Sequence, residues 1–121
     1  FEERLKKIIG YIKQMEAEPI CVTQPHRFVL VKSGIRYGVK EILKIEDQIY
    51  SGLDFDLSLQ KINERIKKVC GNKNTIDLYH YDFLDTDFYD YVHTTPEGST
   101  KIGNILAQKM IESSLIDKLN Y

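Results

Sequence analysis

Cysteine is scarce in this chain. Cys21 and Cys70 are too few for a disulfide framework and too far apart for a zinc-ligand spacing. Both are expected as free thiols packed as small apolar side chains. Surplus charge is missing as well. Seventeen basic and eighteen acidic residues nearly cancel, so no nucleic-acid footprint is expected. No apolar run approaches the roughly 20 residues that span a bilayer. A secretory signal is absent too, and the chain begins at Phe1 without a methionine, as expected of a processed, trimmed or partial chain. Internal repeats and low-complexity linkers are also lacking. What remains is 121 residues, 42% hydrophobic and 29% charged, the profile of one soluble globular domain over residues 1–121.

The apolar spacing of Phe1, Leu5, Ile8, Ile9, Ile12 and Met15 predicts an amphipathic helix at the start. Ile20, Cys21, Val22 and Thr23 follow as a short apolar run between Pro19 and Pro25, which reads as a strand buried on both faces. In "RFVLVKSGIRYG", Ser33, Gly34 and Gly38 interrupt the pattern, and a loop or partly helical excursion is expected. "VKEILKIEDQIY" carries Val39, Ile42, Leu43, Ile45 and Ile49 at helical spacing, and "SGLDFD" reads as its break. A stronger helix follows, with Leu59, Ile62, Ile66 and Val69 on one stripe. Asp56 or Ser58 is its expected cap and Gly71 its stop. Ile76, Leu78 and Tyr79 read as a second strand. The last helix opens at Thr94 or Thr95 with Pro96 in its first turn, and runs through Ile102, Ile105, Leu106 and Met110 towards Leu115.

Helix, strand, helix, strand is the grammar of a parallel α/β sheet. Two strands are few for one, since such strands are normally flanked on both edges. The chain reads as the second part of a sheet.

Chemistry concentrates in "FYDYVHTTPEGSTKIGNIL". Asp90 and His93 stand three residues apart in a loop before a helix. A histidine acts as general base when one ring nitrogen faces the nucleophile and the other donates to a carboxylate. One turn of chain thus supplies a base and its orienting partner. The loop follows a strand, on the carboxyl edge where open α/β sheets bind ligands. Two plainer readings stand beside this one. The pair is an incidental feature of a solvated loop, or Asp82, Asp85, Asp87, Asp90, His80 and His93 form a metal site, although their spacing fits no established ligand frame.

The block "DFYDYVHTTPEGSTKIGNILAQKM" resembles the terminal block of the SGNH, or GDSL-type, hydrolases: an Asp-x-x-His followed by a Pro-x-Gly turn into the final helix. "EPICVTQPH" and "KVCGNKNTIDLYHYDF" resemble the strand and the helix–strand pair that precede it. The resemblance covers nearly the whole chain except Phe28–Phe55. It implies a flavodoxin-like three-layer α/β fold of which only the carboxyl-terminal part is present, about two parallel strands with flanking helices. It further implies a serine ester hydrolase with His93 as general base and Asp90 as its partner, and no metal or organic cofactor. His26, after the Thr-Gln-Pro run, falls at the rim of such a site; as a residue it reads as a polar loop position.

The family's nucleophile and oxyanion donors are missing. No Gly-Asp-Ser-type motif occurs, and no Gly-x-Asn turn. Ser33 and Ser51 have the wrong neighbours, while Ser58, Ser99, Ser113 and Ser114 fall in expected helices. Asn72, Asn74 and Asn104 lie in a turn or helix. The serine is therefore expected outside this chain, on the N-terminal portion of the same domain, and the isolated chain is expected to be inactive and to self-associate. The ester substrate is unspecified, because a fold does not fix a function. The rival reading is a non-catalytic α/β interaction module, or an inactive hydrolase fragment.

Overall fold

A computed structural model describes residues 1–39 and 43–113. The protein is a mixed α/β structure with three helices and small two-stranded sheets, one of them parallel. Helix α1 spans Glu2–Gln14. Its inward stripe is Leu5, Ile9 and Ile12, with Ile9 buried. Phe1, Ile8, Tyr11 and Met15 form a second apolar stripe that remains 54–70% exposed.

Strands β1 (Cys21–Val22) and β6 (Thr75–Ile76) pair in parallel, Cys21 opposite Thr75 and Val22 opposite Ile76. The expected pair exists, but it is shorter than the apolar runs suggested. Leu78–His80 is a 3-10 turn, not the continuation of a strand. Thr23 accounts for the change. Its hydroxyl accepts from Tyr79 N–H at 2.9 Å and donates to Asp77 Oδ1 at 2.7 Å, which bends the chain away from the ladder. The strand end is held from the helix side too. Buried Asn63 accepts from Gln24 N–H at 3.0 Å and donates to Gln24 C=O at 3.2 Å. Neither outer edge of the pair carries another strand among the described residues.

The region expected as loop and helix is two β-hairpins. Strands β2 (Val29–Lys32) and β3 (Ile35–Gly38) turn at Ser33-Gly34, with φ of 51° and 75°. A two-residue loop with both φ positive matches the right-handed twist of the flanking strands. Strands β4 (Leu43–Ile45) and β5 (Gln48–Tyr50) turn at Glu46-Asp47. The helical spacing there was accidental, since β-branched residues around a polar pair serve a hairpin as well. Ile42 of that pattern lies outside the described residues.

Helix α2 spans Gly52–Cys70 and starts earlier than expected. Ser51 is its cap, and the Asp54 carboxylate accepts from Ser51 N–H at 2.8 Å and from its hydroxyl at 2.7 Å. The sequence "SGLDFD" therefore opens a helix. Gly52 is required at this point: a Cβ there would come within 1.9 Å of Phe28 C=O, where the chain crosses the root of the first hairpin. Gly71 ends the helix at φ 78°, as expected. Ile62 of the expected stripe is exposed, and the deepest side chains of α2 are Asp56 and Asn63.

Cys21 and Cys70 are joined in a disulfide, with Cα atoms 6.3 Å apart, which corrects the expectation of two free thiols. Helix α2 packs across β1 and sets its last residue beside the first residue of the strand. Helix α3 spans Pro96–Glu112 with Thr95 as its cap, accepting from Gly98 N–H at 3.2 Å. Leu115 and Ser114 lie outside the described residues. Among the described residues the buried apolar core is small: Ile9, Ile76, Leu78 and Phe88. No helix among the described residues is long and apolar enough to cross a membrane.

Candidate functional site

The segment after β6 folds back on itself to carry Asp90 and His93. A bridge between Phe88 and Thr94 closes a short loop, with Tyr89 N–H donating to His93 C=O at 2.8 Å and Thr95 N–H to Asp87 C=O at 2.9 Å. Phe88 is 4% exposed and anchors the stem. Below it, α3 passes so close that a Cβ on Gly98 would meet Asp87 C=O at 2.1 Å. The Asp87 carboxylate accepts from Leu84 N–H at 2.8 Å and from Lys101 at 3.1 Å. The Pro-x-Gly turn thus seats the loop directly on the start of α3.

Within the loop, Asp90 Oδ1 accepts from the N–H groups of Val92 at 2.9 Å and His93 at 2.8 Å. Its Oδ2 lies 2.7 Å from His93 Nδ1. A carboxylate can only accept, so Nδ1 carries the proton and Nε2 of the neutral ring offers its lone pair. The His93 and Val92 amides and the His93 ring hold the Asp90 carboxyl far below the usual carboxylate range. The two side chains are 78% and 51% exposed for His93 and Asp90. Nε2 has no hydrogen-bond partner among the described residues.

None of the described serines meets it. Ser33 is in a hairpin turn, Ser51 caps α2, Ser58 donates to Asp54 C=O, and Ser99 is 2.8 Å from Thr94 Oγ1. Ser113 caps the end of α3, not its interior, and Asn104 lies within α3. The acidic segment does not converge on a cation. Asp87 and Asp90 are engaged as described, His80 pairs with Asp77, and no three His, Cys, Asp or Glu side chains cluster among the described residues.

Two further aspartate–histidine pairs escaped the sequence reading. Asp77 and His80 share the Asp-x-x-His spacing, with His80 Nδ1 2.8 Å from Asp77 Oδ2. Here the carboxylate is also engaged by Lys67 and Thr23, so it fastens β1, α2 and the turn after β6 to one another. The spacing itself was the available signal. The other pair is non-local. The His26 side chain, expected as a polar rim residue, is 8% exposed, and its Nε2 lies 3.0 Å from Asp56 Oδ1. Asp56, expected as a helix cap, is 2% exposed. It also accepts from Tyr79 Oη at 2.7 Å and from Arg36 at 2.8 Å. Burial lowers the His26 pKa, Asp56 opposes that shift, and Arg36 adds to it. The ring is therefore neutral at pH 7.

No family model, curated protein or solved structure matches this chain.

Proposed function

We propose that the chain is the carboxyl-terminal portion of an SGNH-type ester hydrolase, with a flavodoxin-like sheet completed by an N-terminal portion that carries the serine. The observation that carries this reading is the Asp90–His93 pair, joined at 2.7 Å with no partner on Nε2 among the described residues. Its setting supports the assignment. The loop stands on the carboxyl side of a parallel strand and leads straight into a Thr-capped, proline-started helix. In the complete protein, His93 Nε2 takes the proton of the serine hydroxyl as it attacks the ester carbonyl, then returns it to the leaving alcohol. The same nitrogen next activates water to hydrolyse the acyl-enzyme. Asp90 keeps the proton on Nδ1 and stabilises the imidazolium that forms. The open edges of the β1–β6 pair and the exposed stripe Phe1, Ile8, Tyr11 and Met15 give the N-terminal portion an apolar surface to cover.

The interaction-module reading draws on one observation: Asp77–His80 has the same geometry and a structural task. The test is turnover of a chromogenic acetate ester. The 121-residue chain should show none above background, because developing negative charge has no donor to stabilise it. The protein with its upstream sequence, including a Gly-Asp-Ser motif, should turn over and lose activity on His93→Ala. An unrelated upstream sequence, or turnover indifferent to His93, favours the module.

A further inference from the structure

The Asp90–His93 loop is braced from outside. Tyr91, between the two residues, accepts at its carbonyl from Arg27 N–H at 2.9 Å. Its ring stacks on Phe28 at 5.6 Å and 23°. The Arg27 guanidinium donates to Asp85 C=O at 2.9 Å and Phe88 C=O at 3.5 Å, at the stem of the same loop. His26–Phe28 is thus a splint along the candidate site.

The splint is fixed by His26. Its Nδ1 accepts from Phe28 N–H at 2.9 Å, an i to i+2 bond of the kind an asparagine makes in a turn. Accepting at Nδ1 puts the ring proton on Nε2, from which it donates to Asp56 Oδ1. Phe28 also stacks on His26 at 5.1 Å and on Phe55 of α2 at 5.3 Å. The chain of contacts therefore runs from a buried carboxylate on α2 to the residue between Asp90 and His93.

We propose that His26, held by Asp56, is a positioning residue for the Asp90–His93 pair, acting through Arg27 and Phe28 on Tyr91. Its catalytic consequence rests on the hydrolase reading; its effect on the geometry of the pair does not. The splint needs one tautomer. A second proton on His26 occupies Nδ1, removes the acceptor of Phe28 N–H and releases the turn. The charged and titratable groups facing His26 are Asp56 from α2, Arg36 from β3 and Tyr79 from the turn after β6. His80 and Asp82 line the same groove, about 350 Å³ in volume.

The test reads the His93 ring directly, by nitrogen-15 NMR of its imidazole in this chain at about pH 8, where His26 is neutral and the splint intact. In the wild type Asp90 Oδ2 accepts from Nδ1, so the ring should be held as the Nδ1–H tautomer. His26→Leu removes both ring contacts and should release the ring to a mixture dominated by the Nε2–H tautomer that a free imidazole favours. His26→Asn supplies an oxygen at the same i to i+2 spacing for Phe28 N–H and should keep the Nδ1–H tautomer. A hub that only stabilises the fold would lower the unfolding midpoint of these variants and leave the His93 tautomer of the folded protein unmoved. An unmoved tautomer in folded His26→Leu overturns the proposal, as does an equal change in both variants. If His26→Leu does not fold, Phe28→Leu carries the test: it keeps the Asp56 contact and removes the ring from Tyr91, and an unchanged tautomer overturns the proposal in the same way. Because no turnover is measured, failure of the hydrolase reading leaves this result standing.

Discussion

His93–Asp90 and His26–Asp56 put the same two side chains to opposite uses. The first pair is three residues apart and its side chains are 78% and 51% exposed; the second joins the linker after β1 to α2 and its side chains are 8% and 2% exposed. In the exposed pair the histidine has one nitrogen committed and the other without a partner among the described residues, which is the arrangement of a base awaiting a nucleophile. In the buried pair both nitrogens are committed, to Phe28 N–H and to Asp56, and the imidazole serves as a bracket. The number of free lone pairs, and not the residue types, separates a candidate catalytic pair from a structural one. Asp77–His80 stands between them: its histidine is exposed, but its aspartate is engaged by Lys67 and Thr23.

The largest effect expected from this contrast is kinetic. In the complete protein, His93→Ala should lower kcat by a factor on the order of 10^4 to 10^6, and Asp90→Asn by roughly 10^2 to 10^4, with KM little changed. His80→Ala should stay within a few-fold of wild type. Comparable losses at His80 and His93 would erase the distinction drawn here.

Next come the covalent and buried ties. Cys21 and Cys70 close a loop with a sequence separation of 49, and removing such a cross-link releases chain entropy worth about 4 kcal/mol in the unfolded state. Urea unfolding of Cys21→Ser/Cys70→Ser against the oxidised wild type reads this directly. Asp56→Ala leaves His26, Tyr79 and the inner end of Arg36 without their acceptor. With Arg36 still half in water, a loss of about 3 kcal/mol is expected. Asp90→Ala, in the exposed pair, should cost far less, and equal losses would contradict the assignment of the two pairs.

The smallest effect is the pH dependence of stability. Burial lowers the folded-state pKa of His26 below its unfolded value of about 6.5. A group depressed in this way contributes stability that is present above the unfolded pKa and is lost as pH falls through the folded one. Unfolding midpoints should therefore drop as pH falls below about 6.5, and His26→Asn should flatten that slope. Asp90 is also depressed, but its window lies in strong acid and it is exposed, so it adds nothing to this slope.

Local features were legible in the sequence and non-local ones were not. The Asp-x-x-His pair, the Thr95 cap with Pro96, and the Gly71 stop are each decided within one turn of chain. The β1–β6 pairing was legible too, because both runs are apolar and separated by a helix, although Thr23 shortens the ladder. The hairpins were misread. Ser33-Gly34 is a two-residue turn of the kind that closes tight hairpins, but two glycines and a serine looked like loop punctuation. Helical spacing in 39–50 competed with an equally good strand alternation. An aspartate near a helix start usually caps it, whereas the burial of Asp56 depends on His26, Arg36 and Tyr79 arriving from three other segments. The disulfide was missed for the same reason, since its two cysteines meet only once α2 lies across β1.

The central claim is that Asp90 and His93 act as one unit on a serine, and a double-mutant comparison of kcat in the complete protein tests it most directly. If Asp90 works only through the His93 ring, Asp90→Asn/His93→Ala should be no more than a few-fold slower than His93→Ala alone. Losses that multiply across the two substitutions, or near-normal kcat in both single variants with folding intact, would contradict it.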